Sequence, residues 1–470
     1  MKKSTGLRKS AAAILVLGIA IGYLAAKGGS QATDPVKAQE LEDTAQQPAK
    51  SHPAVELAQA QAQNTRKNLV EGKAEDSLTP WNDPDDPSVF RFNTDDPSFP
   101  GGWNKRNDKP KLEREPGPID LQRYYAGMMH NAFPTFFGMP VALTTEDLKA
   151  GNVEVAIVGS TADMNAVPGT RWAPNVLRGF INSSATYFTA RGDGVQERNI
   201  SGFPMELYTF GSMHELRVVD YGNIAMHQSS GERTVEEIRK VVGEIMEADA
   251  IPITVGGSHD GMYGLFLAAA DKFGPNNFGI AHFDSHFDGV SAAYGYYVHN
   301  GNGMYEVLKR NIVKGEDIVQ VGMTSIGVIR DDFKYMVDKG MRYHYQAEIE
   351  RDGWDTVMRR TLADLKHIDN LLVTVDIDII ASAHMPGTGG REPDGPTPAQ
   401  MMQMVRALAI QNNVILFDVA EFNPMLDTRS GQSATVVTKL MAHFMAGLAA
   451  RKRGITDPFY YHPEMIDDGR

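Results

Sequence analysis

The chain has 470 residues, 42% of them hydrophobic, which is enough for a large buried core and excludes disorder throughout. Lys and Arg number 46 against 59 Asp and Glu, and the net charge of −13 argues against a nucleic-acid binder. There is no cysteine. Disulfide scaffolds, thiolate zinc sites, iron–sulfur clusters and cysteine nucleophiles are therefore excluded, and any metal must be held by His, Asp and Glu.

At the N-terminus, Lys2, Lys3, Arg8 and Lys9 precede a sixteen-residue apolar and small-residue run from Ala11 to Ala26. A cationic start before such a run reads as a secretory signal or an uncleaved anchor, the run being a little short of the roughly 20 residues of a membrane span. Ser30-Gln31-Ala32 resembles a small-x-small cleavage site. Residues 1–32 are thus expected to be an export or anchor segment that places the rest outside the cytoplasm, on the periplasmic side. Residues 33–118 sustain neither a helical nor a strand period. Their first part reads as a polar tether. Their second is dense in Pro, Asp, Asn and Gly but carries Trp81, Phe90, Phe92, Phe99 and Trp103. That many aromatics suggests an extended arm packed on the main domain or on a neighbouring subunit.

From residue 119 to 470 the chain changes character. Short apolar, β-branched runs predict strands at 153–158, 216–219, 251–255, 279–283, 318–321, 341–344, 371–377 and 414–419. Helical patterns lie between them at 235–248, 261–272, 304–312, 356–365, 398–411 and 433–450. Strands alternating with helices imply one α/β domain, a three-layer α/β/α sandwich around a mainly parallel sheet of about eight strands.

In such sheets ligands bind outside the carboxyl ends of the strands. Four of those ends carry chemistry: Gly256-Gly257-Ser258-His259-Asp260, Asp284-Ser285-His286-Phe287-Asp288, the pair Asp376 and Asp378, and Glu421-Phe422-Asn423-Pro424. Positions i, i+2 and i+4 of an extended segment share one side, so Asp284, His286 and Asp288 are expected to face a common point. Carboxylates with a minority of imidazoles suit Mn²⁺ or a similar divalent ion, and six such ligands suffice for two ions roughly 3.5–4 Å apart. Each piece also has a bland reading: a turn at Gly256-Gly257, a structural His259, a solvated strand end at Asp376 and Asp378. Four acids ending buried strands would repel one another and lose hydration without a cation, which favours the metal reading.

Taken together, these motifs resemble those of the ureohydrolase superfamily of arginases, agmatinases and guanidino-acid hydrolases. Its metal motifs, G-G-D-H-S, D-A-H-x-D and S-x-D-x-D-x-x-D-P, are similar to residues 256–260, 284–288 and 374–382. The stretch from Pro168 to Pro174, Asp220-Tyr221-Gly222, Pro386-Gly387-Thr388-Gly389 and the run Asp418 to Pro424 resemble supporting motifs of the same family. The resemblance implies one manganese on His259, Asp284, Asp288 and Asp376 and a second on His286, Asp284, Asp376 and Asp378, with Asp284 and Asp376 bridging. Ni²⁺ or Zn²⁺ are alternatives. It further implies that Glu421 holds a substrate guanidinium, that Asp288 orients the hydrolytic water, and that His299 relays a proton to the departing amine. A homo-oligomer, trimer or hexamer, is implied as well.

Departures limit the likeness. Ser258 and Asp260 exchange the usual Asp and Ser around the first histidine, and Ala381-Ser382 replace the final Asp-Pro of the third motif. The loop after Asp288 lacks the polar set with which arginases grip an amino-acid head group, and Tyr294, Tyr296 and Tyr297 suit an amine or apolar tail better. The expectation is hydrolysis of an agmatine-like guanidino compound to urea and an amine. Alternatives are a guanidinobutyrase, a guanidinopropionase or another guanidino-acid hydrolase, a serine hydrolase with Ser258 at a nucleophile elbow, and a non-catalytic membrane-tethered binding protein.

Overall fold

A computed structural model describes residues 114–121, 133–164, 167–184, 215–226, 230–291, 298–326 and 328–462. The expected export segment, residues 33–113 and the three tyrosines 294, 296 and 297 lie outside the described residues. Eight strands occur in chain order: β1 (Val155–Gly159), β2 (Val218–Asn223), β3 (Ile251–Val255), β4 (Gly279–Phe283), β5 (Ile318–Val321), β6 (Arg342–His344), β7 (Leu371–Asp376) and β8 (Val414–Ala420). They make one sheet in the order β2-β1-β3-β8-β7-β4-β5-β6, with every neighbouring pair parallel. The expected eight-stranded parallel sheet is present, and its strand ends differ from the sequence reading by a few residues at most.

The central strands are apolar on both faces because both are covered. Along β1, Val155 and Ile157 enter one hydrophobic core while Ala156 and Val158 enter the other. The first core is closed by α2 (Ala173–Ser184), α8 (Trp354–Leu365), α9 (Pro398–Gln411) and α10 (Gln432–Lys452). The second is closed by α1 (Thr145–Ala150), α3 (Gly231–Glu247), α4 (Met262–Phe273) and α5 (Gly303–Lys309). The shorter α6 (Arg330–Asp338) and α7 (Gln346–Asp352) lie near β6 in the chain. Neither these two, of nine and seven residues, nor the six-residue α1 is among the helical patterns of the sequence, and the twelve-residue α2 is not among them either. Local signals set them instead, as in α1, where Thr144 and Asp147 form a reciprocal capping box.

Helix α10 is long and apolar enough to cross a membrane, but its apolar stretch is buried inside this domain. It packs against α9, and Phe444 stacks on Phe417 of β8 with ring centroids 4.3 Å apart. Residues 114–117 are held against α1: Arg114 Nη2 donates to Asp147 Oδ2 at 2.6 Å, and the Gly117 amide donates to Asp147 Oδ1 at 2.8 Å. Ile119 then forms an antiparallel bridge with Val141.

Strand order is what positions the site. After β3 the chain passes over two places in the sheet before laying down β4, and β8 and β7 fill those places later. The carboxyl ends of β3, β8, β7 and β4 are therefore adjacent at the centre of the sheet.

The α9–α10 contact is tight at Gly447. A Cβ there would sit 2.6 Å from both Ala409 Cβ and the Arg406 carbonyl oxygen. Since backbone cannot yield cheaply, Gly447→Ala is expected to destabilise the domain by roughly 1–3 kcal/mol in chemical denaturation. An unchanged midpoint would show that the two helices are not packed this closely.

Candidate metal centre

Each ligand-bearing segment has a local reason for its path. Strand β3 runs into Gly256 and Gly257, both left-handed with φ of +81° and +80°. A Cβ on Gly257 would lie 2.2 Å from Ser160 Oγ, so only glycine allows this approach. The chain then enters a 3₁₀ turn, His259–Gly261, which leads into α4 and buries His259. Asp376 is the last residue of β7. Its carboxylate accepts the Asp378 amide at 2.9 Å and starts the 3₁₀ turn Ile377–Ile379. Glu421 follows β8 at φ +67°, and its Oε1 accepts the His259 amide at 2.7 Å.

The expected extended geometry of residues 284–288 is not what forms. Strand β4 stops at Phe283, the chain bends at Ser285 and His286, and Asp288 is left-handed at φ +47°. Asp378 likewise lies beyond its strand rather than in it. Asp284, His286 and Asp288 therefore converge through a looped path, and two non-glycine residues, Asp288 and Glu421, hold conformations costing roughly 1–3 kcal/mol each. Such strain is retained where surrounding structure over-determines it.

Two ligand sets result. His259 Nδ1 faces Asp284 Oδ2 at 3.1 Å, Asp288 Oδ2 at 3.2 Å and Asp376 Oδ2 at 3.3 Å. His286 Nδ1 faces Asp378 Oδ2 at 2.9 Å and Asp284 Oδ1 at 3.5 Å. The two oxygens of Asp284 thus point into different sets, the arrangement of a bridging carboxylate. Asp376 belongs to the first set, while the second gathers Asp284, His286 and Asp378. Ser285 steadies the second set, its hydroxyl donating to Asp378 Oδ1 at 2.7 Å.

Charge in this cluster is unbalanced. Burial, then the charge of Asp284, push the Asp288 carboxyl up to about 8. Burial and neighbouring carboxylates also raise Asp376 and Asp378. Burial opposes ionisation of Asp284 too, but hydrogen bonds from His259, His282 and His286 outweigh it and hold this carboxyl well below the usual range. Burial disfavours charge on the two imidazoles, yet their carboxylate partners prevail, raising His259 well above its ordinary value and His286 to about 12. In the described ion pairs these four carboxylates meet imidazoles only. Converging oxygens and imidazole nitrogens, short of positive charge and shielded from water, fit a pair of divalent cations.

Above the cluster lies a cavity of about 370 Å³, walled by Val167, Phe287, Val290, Ile326 and Val328 and floored by His286, Asp288, Asp376, Asp378 and Glu421. His299 lines it as well, half-buried, with burial lowering its pKa. Its Nδ1 accepts the Gly301 amide at 2.9 Å, so the neutral ring carries its proton on Nε2. Asn423 pins the cavity edge by donating from Nδ2 to the carbonyls of Val167 and Pro168, each at 3.2 Å. Gly390 completes the floor. A Cβ there would lie 2.6 Å from His286 Cε1 and 2.7 Å from Asp378 Oδ2.

The eight residues singled out from the sequence all come to this one place. His282 is the residue sequence reasoning missed. It is fully buried on β4, with Nε2 3.0 Å from Asp284 Oδ2, and one of its ring nitrogens lies within 4.8 Å of a ring nitrogen of His259 and of carboxylate oxygens of Asp284 and Asp288. Its signal was present, an imidazole two places before Asp284 in an otherwise apolar strand. The nucleophile-elbow reading of Ser258 fails: the residue is buried, and its hydroxyl donates to Asp260 while accepting the Met164 amide at 3.3 Å. No imidazole activates it among these contacts.

The arginase-family profile matches residues 153–447. The chain is 24% identical over 319 residues to the mitochondrial guanidino acid hydrolase of Homo sapiens, covering 66% of this chain and 81% of that protein. It is 25% identical over 317 residues to the mitochondrial agmatinase of Gallus gallus, covering 67% and 85%. A solved structure of Trypanosoma cruzi formiminoglutamase with Mn²⁺ shares the fold, with a TM-score of 0.55 at 21% identity over 66% of this chain and 99% of that one.

The protonation pattern predicts a pH effect. His259, His286 and Asp288 have raised pKa values, so at pH 7 the metal-free centre holds protons that a bound cation must displace. Calorimetry of Mn²⁺ binding in buffers of different ionisation enthalpy should show net proton release, with apparent affinity falling as pH falls. The share from Asp288 should vanish above about pH 8. Binding without proton release would contradict this charge assignment.

Proposed function

The chain belongs to the arginase family, and on that premise we propose that it is a dinuclear-metal hydrolase cleaving an agmatine-like guanidino compound to urea and an amine. The observation that carries this reading is the split of Asp284 between two ligand sets at the floor of a cavity. His259, Asp284, Asp288 and Asp376 would hold one ion, and His286, Asp284 and Asp378 the other. Manganese is favoured by a donor set of four carboxylates and two imidazoles, and a family relative's structure is described as holding Mn²⁺. When bound, the ions supply a hydrolytic nucleophile at neutral pH.

The remaining roles fall to this chain's own groups. Glu421, at the cavity floor, attracts the guanidinium by charge and hydrogen bonding. Asp288 orients the attacking water, and His299 relays a proton from that water to the departing amine, gaining one at Nδ1 in place of the Gly301 contact as it gives up the one on Nε2. Val167, Phe287, Val290, Ile326 and Val328 contact the substrate tail. Among the described lining residues there is neither Lys nor Arg. A carboxylate tail would therefore lose hydration without gaining a cation, which supports an amine or uncharged tail over a guanidino acid. The cationic and apolar N-terminus supports action outside the cytoplasm.

The test is urea release from the manganese-loaded full chain with agmatine, guanidinobutyrate, guanidinopropionate, arginine and guanidine. Agmatine is expected to exceed both guanidino acids in kcat/KM by roughly tenfold or more, the equivalent of about 1.4 kcal/mol. Urea from none of the five would overturn the reading, and a preference for a guanidino acid would overturn the tail assignment.

A further inference from the structure

Parallel register places side chains of successive strands in rows, and three rows on one face of the sheet differ sharply. The uppermost holds Asp284 and Asp376 of the metal centre. Two residues below, Thr254 on β3 pairs with Asp418 on β8, Asp418 with Thr374 on β7, Thr374 with His282 on β4, and His282 with Gln320 on β5. Every member of this second row is polar, and none is more than 4% exposed. Two residues lower again come Leu416, Leu372, Ile280 and Ile318, all fully buried. A continuous polar row across five central strands is costly unless its hydrogen bonds accomplish something.

Those bonds lead upward. Asp418 Oδ1 accepts the Thr254 hydroxyl, and its Oδ2 accepts the Thr374 hydroxyl at 2.8 Å. A hydroxyl has one proton, and Thr374 has given its own to Asp418. Toward His259 Nε2, 2.9 Å away, the Thr374 oxygen can then only accept. Nε2 must carry a proton, so Nδ1, which faces the three carboxylates, is the nitrogen whose proton a bound cation would displace and whose lone pair it would take. His282 Nε2 lies 3.0 Å from Asp284 Oδ2, and Gln320 Nε2 donates to the His286 carbonyl. The row thus ends on three different residues of the centre.

We propose that this row is a positioning layer for the metal centre, in which Asp418, acting through Thr374, fixes His259 as the tautomer that ligates through Nδ1, while His282 and Gln320 orient Asp284 and His286. It rests on the reading that the cluster binds two ions. Ligand-orienting partners of this kind typically govern metal affinity by ten- to a hundredfold. In Asp418→Asn the amide can donate to Thr374, which turns the threonine proton toward Nε2 and forces the other tautomer. Thr374→Val removes the hydroxyl with little change of shape, and Thr374→Ser keeps it.

The test is Mn²⁺ titration of the full chain, followed by the electron paramagnetic resonance signal of free Mn²⁺, alongside thermal melting of each metal-free variant. Wild type should bind two ions. Thr374→Val and Asp418→Asn should bind one of the two roughly ten- to a hundredfold more weakly, and Thr374→Ser should restore wild-type binding. Wild-type affinity in both Thr374→Val and Asp418→Asn would overturn the positioning role alone. Equal losses in Thr374→Ser and Thr374→Val, tracking lower melting, would assign the effect to packing and overturn it too. A wild-type chain that binds no Mn²⁺ would overturn the metal centre and the positioning layer together.

Discussion

Asp284, Asp288, Asp376 and Asp378 are buried together at the carboxyl edge of the sheet, where water screens their repulsion poorly. Nearly everything distinctive about this domain follows from accommodating that charge. Three imidazoles, His259, His282 and His286, meet the carboxylates directly, yet burial and mutual repulsion still push the Asp288, Asp376 and Asp378 carboxyls upward. A pair of divalent cations would complete the balance. The negative surplus of the whole chain is thus in part a feature of one site.

Accommodation extends into the backbone. Paired left-handed glycines lead β3 to His259, while Asp288 and Glu421 adopt left-handed conformations without being glycine. Glu421 also fastens the His259 amide, so the residue assigned to the guanidinium supports a ligand segment as well. Further out, Asp163 gathers the Gly169 amide and the Thr170 hydroxyl, each at 3.0 Å, and Asn423 holds the turn just before them. Arg178 of α2 grips Asp220 of β2 through two bonds of 2.7 and 2.8 Å, seated over the Phe136 ring. Motif residues that never touch a ligand are accounted for by these wall contacts.

The sheet was legible in the sequence because buried parallel strands are written as unbroken apolar runs. Most of the longer helices were legible through their period, whereas α1, α6 and α7 were too short to show one and the twelve-residue α2 was not read. Among the site residues, acids and imidazoles stood out because they interrupt apolar strand ends. The path of residues 284–288 was misjudged as extended, since a left-handed aspartate leaves no mark in composition. His282, Thr374, Asp418 and Gln320 passed without assigned roles for a different reason. A row exists only once register is known, and register between strands far apart in the chain is a property of the folded sheet.

Two cations that would share Asp284 are the central expectation for this site. Anomalous diffraction at the manganese absorption edge, from crystals grown with Mn²⁺, tests it directly. Two peaks roughly 3.5–4 Å apart, one beside His259 and Asp288 and the other beside His286 and Asp378, are the predicted result. A single peak, or none within reach of Asp284, would contradict it.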